Sequence, residues 1–377
     1  MKILVHPQTF NLQKYGGISR YYTEILSRLS INNSVRIPLY GTSNIYYNES
    51  NLLTFKQKIY AIYVKLLSGL KVRHLEKTRK RSDKLLKQLI LKQDFDVFIP
   101  TYYEVDFLKY LDSKPFVLTV YDMIYELFPA LFTEHRQVIT GLIKNKQILI
   151  ENATRIIAVS ENTKRDILKV YPHINETKID VVYHGCSITI REKKADFLPD
   201  SYILYVGTRN NYKNFYFMLD AIQELLHSNK DLKLICAGGG KFTEEERNYI
   251  NKMQLEHQII QQDFKENELG LYYKNAICFV FPSLYEGFGI PVLESMSCGC
   301  PVVLASHSSF PEVAGDAGVY FDLNNANDLK EKVQSLIQDV FLREEFSIKG
   351  LEQVKKFSWE KASKECLKVY SKACGKY

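Results

Sequence analysis

The stretch FPSLYEGFGIPVLESMSCGCPVV, residues Phe281–Val303, decides the fold of the second half of this 377-residue chain. An apolar run that ends at Phe281 predicts a buried strand, and a glycine-rich loop follows it. A helix is predicted from Ile290, because a proline such as Pro291 is favoured in the first helical turn, where no N–H is needed. Glycines that lead into a helix N-terminus let the backbone approach an anion, which the helix dipole attracts. The stretch therefore predicts a strand–loop–helix unit suited to phosphate.

Two carboxylates, Glu286 and Glu294, lie eight positions apart on either side of this helix start. Carboxylate oxygens accept hydrogen bonds from hydroxyls, so the pair suits a ligand with a sugar at one end, a ribose at the other and a diphosphate between. The alternative is a capped structural helix with two solvated acids. The complete string favours a binding site, whereas a bare Gly-x-Gly would favour that alternative.

Strands alternate with helices in both halves of the chain. The predicted strands include Lys2–His6, Val97–Ile99 and Phe116–Val120, and after a polar stretch at Ser187–Asp200 the pattern restarts at Ile203–Val206. Repeated β-α-β units predict an α/β protein with two doubly wound parallel sheets, whose ligands bind at the carboxyl ends of the strands. We place the domains at residues 1–186 and 187–357, followed by a last helix within 358–377.

The positive charge of the chain is concentrated in one segment. The net charge is +7, but residues 56–92 contain twelve basic and two acidic residues, so the rest of the chain sums to −3. Three explanations stay open: helices with a solvated basic face, attraction to an anionic membrane surface, and nucleic-acid binding. The first two are favoured and nucleic acid is not expected, because no recognition fold accompanies the charge.

The cysteines indicate where the protein works. They are seven in number, absent from the first 185 residues and never spaced as CxxC, which favours a reducing cytosol over a disulfide framework. No ligand set for a metal is predicted around Cys298 and Cys300. Because no apolar run reaches the roughly 18 residues of a membrane span, we expect a cytoplasmic protein, peripheral on the inner face of the membrane if residues 56–92 bind lipid.

The string EGFGIPVLE, with Glu286 and Glu294 at its ends, resembles the signature of the retaining glycosyltransferases of family 4. Further matches follow in the same order along nearly the full chain: Gly16–Tyr21 (GGISRY), Ile156–Asn162 (IIAVSEN), Val181–Gly185 (VVYHG), Tyr205–Asn214 (YVGTRNNYKN) and Phe310–Gly315 (FPEVAG). The resemblance implies the GT-B fold, in which two Rossmann-like domains face a central cleft. It implies that the C-terminal domain binds a nucleotide-sugar donor, that the N-terminal domain binds the acceptor, and that the last helix crosses back to the N-terminal domain.

The resemblance also assigns roles in the donor site. The catalytic groups would be Glu286, which hydrogen-bonds the donor sugar, and Lys213 and Arg209, which neutralise the diphosphate as negative charge develops on it. Glu294 would bind the ribose. The arginine of the family usually follows the glycine directly, whereas Thr208 intervenes here, so Lys213 is the favoured cation. The other donor-binding positions, expected to approach the sugar and diphosphate closely, are Gly16, Gly17, Gly207, Gly287, Phe288, Gly289 and Ile290.

On the acceptor side the resemblance points to Tyr121, Asp122 and Tyr125 within the stretch TVYDMIYE. Many members of the family have histidine at the position of Tyr121, and histidine is common at the positions of Tyr125 and Ile99. The leaving phosphate oxygen of a retaining front-face transfer can take the acceptor proton, so loss of an imidazole need not abolish the reaction. Two roles stay open for Tyr121 and Asp122, namely shaping the acceptor pocket and a purely structural role.

The sequence thus predicts a retaining hexosyltransferase that requires neither metal nor cofactor. It would move a hexose, with mannose from GDP-mannose as our guess, to a glycan or lipid-linked acceptor in polysaccharide or lipopolysaccharide synthesis. The first alternative is a catalytically silent protein of the same fold that binds a nucleotide sugar. A nicotinamide-dependent oxidoreductase is the second, but no GxGxxG follows either first strand.

Overall fold

The computed structural model describes residues 1–54, 57, 59, 71–188, 190, 197–209 and 211–376. The chain forms two compact units, of which the first comprises Met1–His184 with Trp359–Tyr377 and the second Gly185–Ser358. These limits lie close to the predicted domain boundaries. The first part of the basic segment, for which helices with a solvated basic face are one expectation, lies outside the described residues up to residue 70, apart from residues 57 and 59.

The strands of the first unit form parallel sheets in the orders β2-β1-β3 and β4-β5-β6. A parallel bridge between Phe98 and Phe116 links the two sets. The strands are β1 (Lys2–Val5), β2 (Ser34–Arg36), β3 (Val97–Ile99), β4 (Val117–Val120), β5 (Arg155–Ala158) and β6 (Ile179–Val181). The helices are α1 (Gln8–Leu12), α2 (Gly17–Leu29), α3 (Ile45–Glu49), α4 (Lys71–Leu91), α5 (Leu108–Leu111), α6 (Ile124–Leu127), α7 (Arg136–Asn152) and α8 (Glu161–Val170).

Local sequence signals explain where two of these helices begin. The side chain of Gln13 accepts a hydrogen bond from the backbone N–H of Ser19 (3.1 Å) and so satisfies one donor in the first turn of α2. Ser160 is the N-cap of α8, and its hydroxyl oxygen accepts from the N–H of Thr163 (2.9 Å). Caps of this kind fix the helix starts that follow β1 and β5.

The second unit contains a parallel sheet of order β9-β8-β7-β10-β11-β12. Its strands are β7 (Tyr202–Val206), β8 (Lys233–Ala237), β9 (Ile259–Gln262), β10 (Cys278–Phe281), β11 (Val302–Ala305) and β12 (Gly318–Phe321). The helices are α9 (Phe215–Ser228), α10 (Glu244–Lys252), α11 (Leu269–Asn275), α12 (Ile290–Ser297), α13 (Phe310–Ala314), α14 (Ala326–Gln338) and α15 (Val340–Val354). The strand order reverses between β7 and β10, and the carboxyl ends of such a pair are where doubly wound sheets bind ligands.

The sequence pattern misses two strands of this sheet, β9 and β12, and both are edge strands. An edge strand pairs on one side only, so it tolerates more polar residues than a central strand. Strand β9 ends in two glutamines, which hides it from a search for apolar runs, whereas β12 contains an apolar run of only three residues after its first glycine. The prediction of parallel α/β sheets in both halves is confirmed.

The chain ends in a helix, α16 (Trp359–Ala373), that belongs to the first unit. Trp359 is 1% exposed, and its ring centroid lies 6.2 Å from that of Tyr21 on α2. Cys366 and Tyr370 of the same helix are also buried in this core. The last helix therefore completes the core of the unit that contains the N-terminus.

Candidate functional site

Lys213 and Glu286 meet at the point where the strand order of the second unit reverses. Lys213 ends a short 3₁₀ turn after β7, and Glu286 lies in the loop after β10. The Lys213 Nζ lies 2.5 Å from the Glu286 Oε1, and the two side chains are 15% and 16% exposed. The ammonium also lies over the rings of Tyr212 (4.9 Å to the centroid) and Phe281 (5.0 Å). A carboxylate and two aromatic faces thus hold a partly accessible cation at the predicted ligand-binding edge.

The loop that contains Glu286 is fixed by two serines that the sequence analysis missed. The Ser308 hydroxyl accepts from the N–H of Glu286 (3.1 Å) and donates to its carbonyl oxygen (2.6 Å). The Ser309 hydroxyl is shared between the carbonyl oxygens of Glu286 (2.9 Å) and Phe288 (3.0 Å). Ser308 has φ +59°, a left-handed conformation that is uncommon for a residue with a side chain and often marks a functional site.

The sequence contains a signal for these serines, but recognising it requires knowledge of which strands are neighbours in the sheet. Ser306, Ser308 and Ser309 form a hydroxyl-rich run directly after β11, and β11 pairs with β10. Only that pairing reveals that the run lies beside the loop with Glu286.

The start of α12 has the geometry that the sequence predicts. Gly289 has φ +90°, and an added Cβ would lie 3.4 Å from both Phe310 and Val292. Pro291 stands in the first turn. The side chain of Phe288 is buried, and its ring contacts that of Phe357 (5.9 Å between centroids), so this position offers a ligand its backbone rather than its ring. Backbone N–H groups at such a helix start suit an anion.

Glu294 lies one turn into α12 and is 5% exposed. The Tyr273 hydroxyl donates to its Oε2 (3.3 Å). Burial, followed by the charge of Glu294, raises the pKa of Tyr273 well above its ordinary value, so this phenol keeps its proton to donate. The ribose-binding role of Glu294 stays a prediction.

Arg209 is engaged within the protein. Its Nε donates to the Glu246 Oε1 (2.7 Å), and its Nη2 donates to the carbonyl oxygens of Gly240 (3.0 Å) and Lys241 (3.2 Å). Glu246 also accepts, through Oε2, from the N–H of Thr243 (2.7 Å) at the start of α10. The predicted contact of Arg209 with a diphosphate stays a prediction, because the guanidinium would have to give up some of these bonds to reach one.

Glycines make this arrangement of Arg209 possible. Gly238, Gly239 and Gly240 all have positive φ, at +74°, +72° and +76°. A Cβ on Gly239 would lie 2.3 Å from the carbonyl oxygen of Gly207, which itself has φ +107°. The loop after β8 therefore approaches the loop after β7 more closely than any other residue type would allow.

Gly16 and Gly17, at the start of α2, differ in their surroundings. A Cβ on Gly16 would lie 2.3 Å from the side-chain amide oxygen of Gln13, which accepts from the N–H of Ser19, so a side chain at this position would disturb that hydrogen bond. A Cβ on Gly17 would meet nothing within 4 Å. Open space at Gly17 permits a close approach of the kind predicted, and the contact with phosphates stays a prediction.

Of the three positions where the resemblance leads us to expect histidine, Ile99 is fully buried, whereas Tyr121 and Tyr125 are partly buried. Ile99 lies in β3 and is fully buried in the core. The ring of Tyr121 packs edge-on against Tyr21 (5.9 Å) and Tyr22 (6.4 Å), and burial raises its pKa well above the ordinary value. These contacts favour a structural role for Tyr121, and its place in the acceptor pocket stays a prediction. The neighbouring Asp122 side chain is 37% exposed.

A fully buried lysine lies behind Asp122. The Lys146 side chain on α7 is 0% exposed, and its Nζ donates to the Glu126 Oε2 (3.0 Å) and to the backbone carbonyl oxygen of Asp122 (3.1 Å). The sequence analysis missed it because lysines on a long amphipathic helix usually face solvent. Its spacing was a signal, since Lys146 comes seven residues after Ile139 and four before Ile150, on the buried face of the helix.

Comparison with known proteins gives matches over most of the chain. A family model described as Glycosyltransferase Family 4 matches residues 15–189, and one described as Glycosyl transferases group 1 matches residues 187–353. O-antigen chain mannosyltransferase B of Escherichia coli is 31% identical over 233 residues, 59% of this chain and 61% of that protein. N-acetylgalactosamine-N,N'-diacetylbacillosaminyl-diphospho-undecaprenol 4-alpha-N-acetylgalactosaminyltransferase of Campylobacter jejuni is 28% identical over 59% of this chain and 61% of that protein.

These alignments span about three fifths of the length of both curated relatives. Among solved structures, sucrose-phosphate synthase from Thermosynechococcus elongatus superimposes with a TM-score of 0.74 over 100% of both chains, at 16% sequence identity. Together with the parallel sheets of both units, this likeness confirms the predicted GT-B fold class.

Proposed function

The chain belongs to glycosyltransferase family 4, and on that premise we propose that it transfers a sugar from a nucleoside diphosphate to a glycan or a lipid-linked glycan. The observation that carries this proposal is the Lys213–Glu286 pair, which combines a cation and a hydroxyl acceptor at the ligand-binding edge of the second sheet. Both curated relatives described above are named as glycosyltransferases, which supports the reaction class.

Lys213 would bind the diphosphate. An ammonium has three N–H donors, so Lys213 can keep its bond to Glu286 and still donate to phosphate oxygens. Negative charge grows on the diphosphate as the bond to the sugar breaks, and a fixed cation that is shielded from bulk water stabilises that charge. This argument supports transfer without a metal ion, and activity that survives excess chelator would test it.

Glu286 would act on the sugar. Its carboxylate can accept hydrogen bonds from the donor-sugar hydroxyls and can stabilise the positive charge that develops at the anomeric carbon. Ser308 and Ser309 hold the backbone of Glu286, so the carboxylate is positioned before the substrate arrives.

We further propose that the configuration at the anomeric carbon is retained. In a front-face transfer the bond from that carbon to the phosphate oxygen breaks, and the bond to the acceptor oxygen forms on the same face. The proton of the acceptor hydroxyl passes to the leaving phosphate oxygen. Such a step needs no histidine at the position of Tyr121, whose phenol is buried among aromatic rings.

We also propose which sugar is transferred and which kind of acceptor receives it. A hexose, with mannose first, is supported by the name of the Escherichia coli relative, and GDP as its nucleotide is our guess. An acceptor linked through a lipid diphosphate is supported by the name of the Campylobacter jejuni relative. The O-antigen chain in the name of the Escherichia coli relative supports a reaction in the assembly of surface polysaccharide, including lipopolysaccharide.

Attraction to an anionic membrane is proposed for the described part of the basic segment. Helix α4 buries Thr78, Ser82, Leu86 and Ile90 at four-residue spacing, so its other faces are open to solvent. Each basic residue near an anionic membrane contributes about 1 kcal/mol of attraction. The exposed basic residues of the helix and its end are Lys77, Arg79, Lys80, Arg81, Lys84, Lys87 and Lys92.

A vesicle assay separates this proposal from the alternative of a solvated basic face. In the part of the chain that the structure describes, no helix has the length and apolar character needed to cross a bilayer. From the exposed basic residues of α4 we expect salt-sensitive binding to phosphatidylglycerol-containing vesicles and none to purely zwitterionic ones. The double variant Lys80→Glu/Lys84→Glu should weaken that binding, and equal binding by the variant would contradict the proposal.

The transfer reaction is tested with defined donors. We would incubate the protein with GDP-mannose, UDP-glucose and UDP-N-acetylglucosamine, each with a panel of glycosides, and measure nucleoside diphosphate release and product configuration by NMR. The proposal expects turnover with at least one donor, retention of configuration and loss of turnover in Glu286→Gln. Donor binding without any transfer would instead support the catalytically silent alternative, and inversion would refute the proposed stereochemistry.

A further inference from the structure

A cluster of polar and aromatic side chains surrounds Lys146 at the carboxyl ends of two neighbouring strands. Tyr102 and Tyr103 follow β3, and the stretch from Asp122 to Glu126 follows β4. The two strands are joined through the Phe98–Phe116 bridge, so both loops leave the same edge of the sheet. This edge is where doubly wound sheets place ligands. We call Lys146, Glu126, Asp122, Tyr102, Tyr103 and Tyr125 the Lys146 cluster.

Lys146 contacts residues of both loops from the buried side of the cluster. Its Nζ is hydrogen-bonded to Glu126 and to the backbone of Asp122, and it lies 4.0 Å from the Asp122 Oδ1. The same ammonium lies over the rings of Tyr103 (5.1 Å) and Tyr125 (5.7 Å). Removing a cation from water is costly unless partners of this kind surround it, so the contacts fix the ammonium in one place. Asp122 and Tyr125 are thereby held in a fixed arrangement.

The groups that the cluster presents to solvent are a carboxylate and two aromatic rings. Asp122 is 37% exposed, and Tyr102 and Tyr125 are half-buried. The Asp122 Oδ1 accepts from the N–H of Ile124 (3.2 Å), which orients the carboxylate. Burial, followed by nearby negative charge, raises the pKa of Tyr125, so its phenol remains a neutral hydrogen-bond partner. Carboxylates accept hydrogen bonds from sugar hydroxyls, and aromatic rings cover the apolar face of a sugar ring.

The net charge of the Lys146 cluster favours neutral acceptors over anionic ones. The positive charge of Lys146 is matched by Glu126, whose side chain is 3% exposed, so Asp122 adds an uncompensated negative charge at the surface of the cluster. A phosphate or carboxylate on the acceptor would be repelled there, whereas a neutral hydroxyl would donate a hydrogen bond.

We propose that Asp122, Tyr102 and Tyr125 form a subsite for an uncharged acceptor sugar, and that Lys146 is the positioning residue that fixes this subsite. The inference rests on the proposed glycosyl transfer and names the substrate class of its acceptor side. It also assigns Lys146 and Glu126, which no resemblance of the sequence indicates, to the support of that site.

Kinetics of three variants test the positioning role. A hydrogen bond to a charged group corresponds to about a tenfold to hundredfold change in affinity, so Asp122→Asn should raise the acceptor KM by that factor. The double variant Glu126→Gln/Lys146→Met removes the buried pair without leaving a lone charge, and it should raise the acceptor KM in the same direction. In both variants the donor KM should stay at the wild-type value. Lys144→Met is the matched control, because Lys144 is exposed on the same helix, and its kinetics should not change.

Binding of simple glycosides tests the subsite even without turnover. Saturation-transfer NMR would compare methyl α-mannoside, methyl α-glucoside and methyl α-galactoside with mannose 6-phosphate and a methyl glucuronide. We expect a neutral glycoside to bind better than the anionic sugars, and Asp122→Asn to narrow the difference. A preference for the anionic sugars, or binding that Asp122→Asn leaves unchanged, would overturn the inference. Failure of the proposed function is distinguishable, because it would appear as absent donor binding or absent transfer.

Discussion

Each unit of the molecule contains a lysine–glutamate pair at the carboxyl ends of its strands, and the two pairs differ in exposure. Lys213 and Glu286 in the second unit are 15% and 16% exposed, whereas Lys146 and Glu126 in the first are 0% and 3% exposed. In a partly exposed pair, either side chain can give up a hydrogen bond within the protein and form one to a ligand instead. A closed pair cannot do so without breaking the core. The same two residue types therefore suit ligand binding in one unit and support of a binding surface in the other.

The largest expected difference between the pairs is in stability. Lys146→Met leaves the Glu126 carboxylate buried without its cation, and breaking a buried pair in this way costs about 3–5 kcal/mol. For Lys213→Met we expect a loss of roughly 1 kcal/mol, because the Glu286 left behind can be solvated. Urea unfolding would measure both. Equal losses of unfolding free energy would contradict the distinction between a closed and an open pair.

For catalysis we expect the opposite ranking of the two pairs, with the larger effect at Lys213. Removing a fixed group that stabilises developing charge costs about 10²–10³ in turnover, so Lys213→Ala should lose that much of its kcat. Lys230→Ala is the matched control, since Lys230 is an exposed lysine of the same unit. Steady-state release of the nucleoside diphosphate provides the measurement, and wild-type turnover in Lys213→Ala would remove the basis of the donor site.

Acid should destabilise the first unit through its buried histidines. Burial, followed by the charge of Arg79, lowers the pKa of His6 from 6.5 to about 4, and burial lowers that of His184 to about 3. The unfolded chain then binds more protons between pH 6.5 and 4, so stability falls as the pH drops through this window. His6 alone should cost about 2 kcal/mol between pH 7 and pH 5.

A variant isolates the contribution of His6. His6→Asn keeps a side-chain acceptor for the N–H of Gln8 but cannot take up a proton. The only tryptophan, Trp359, is buried in the first unit, so its fluorescence reports the unfolding of that unit. Unfolding followed in this way should depend less on pH in the variant than in the wild type. An identical pH dependence would show that His6 does not carry the effect.

The smallest predicted effect compares glycines at two helix starts. Gly289 has φ +90°, so Gly289→Ala forces a side chain into the left-handed region at a cost of about 1–2 kcal/mol and should weaken donor binding. Gly17→Ala should leave stability nearly unchanged, because Gly17 has φ outside that region and open space around its Cα. Thermal unfolding and donor titration of the two variants would measure the contrast. Equal losses of stability and donor affinity in the two variants would show that the backbone conformation of the glycine does not determine the effect of the substitution.

The sequence predicts the strand–loop–helix unit around Glu286 well, because the features of that unit are local. One short stretch contains the strand end, the glycine turn and Pro291. It adopts the predicted structure, and α12 begins at Ile290. Ser160 as the cap of α8 is equally local. The α/β class follows from apolar runs that alternate with amphipathic helices. The exceptions are the two edge strands, of which β9 ends in polar residues and β12 contains an apolar run of only three residues.

What the sequence does not predict depends on contacts between distant segments. Ser308 acts on Glu286 only because β11 pairs with β10, and Lys146 reaches Glu126 only because α7 packs behind the loop after β4. Arg209 illustrates the converse. Its position in the sequence indicates a role at the diphosphate, yet its guanidinium is bound by Glu246 and by backbone carbonyls of the loop after β8. Residue type and spacing cannot distinguish a cation that faces a ligand from one that faces the protein.

Calorimetric titration of nucleotides tests the central claim most directly, namely that the open Lys213–Glu286 pair binds a nucleoside diphosphate. We would titrate GDP, UDP, GMP and UMP into the wild type, Lys213→Ala and Lys230→Ala. The account predicts that at least one diphosphate binds more tightly than its monophosphate, that Lys213→Ala weakens this binding by about tenfold or more, and that Lys230→Ala does not. Binding of neither diphosphate, or equal affinity in the wild type and Lys213→Ala, would contradict it.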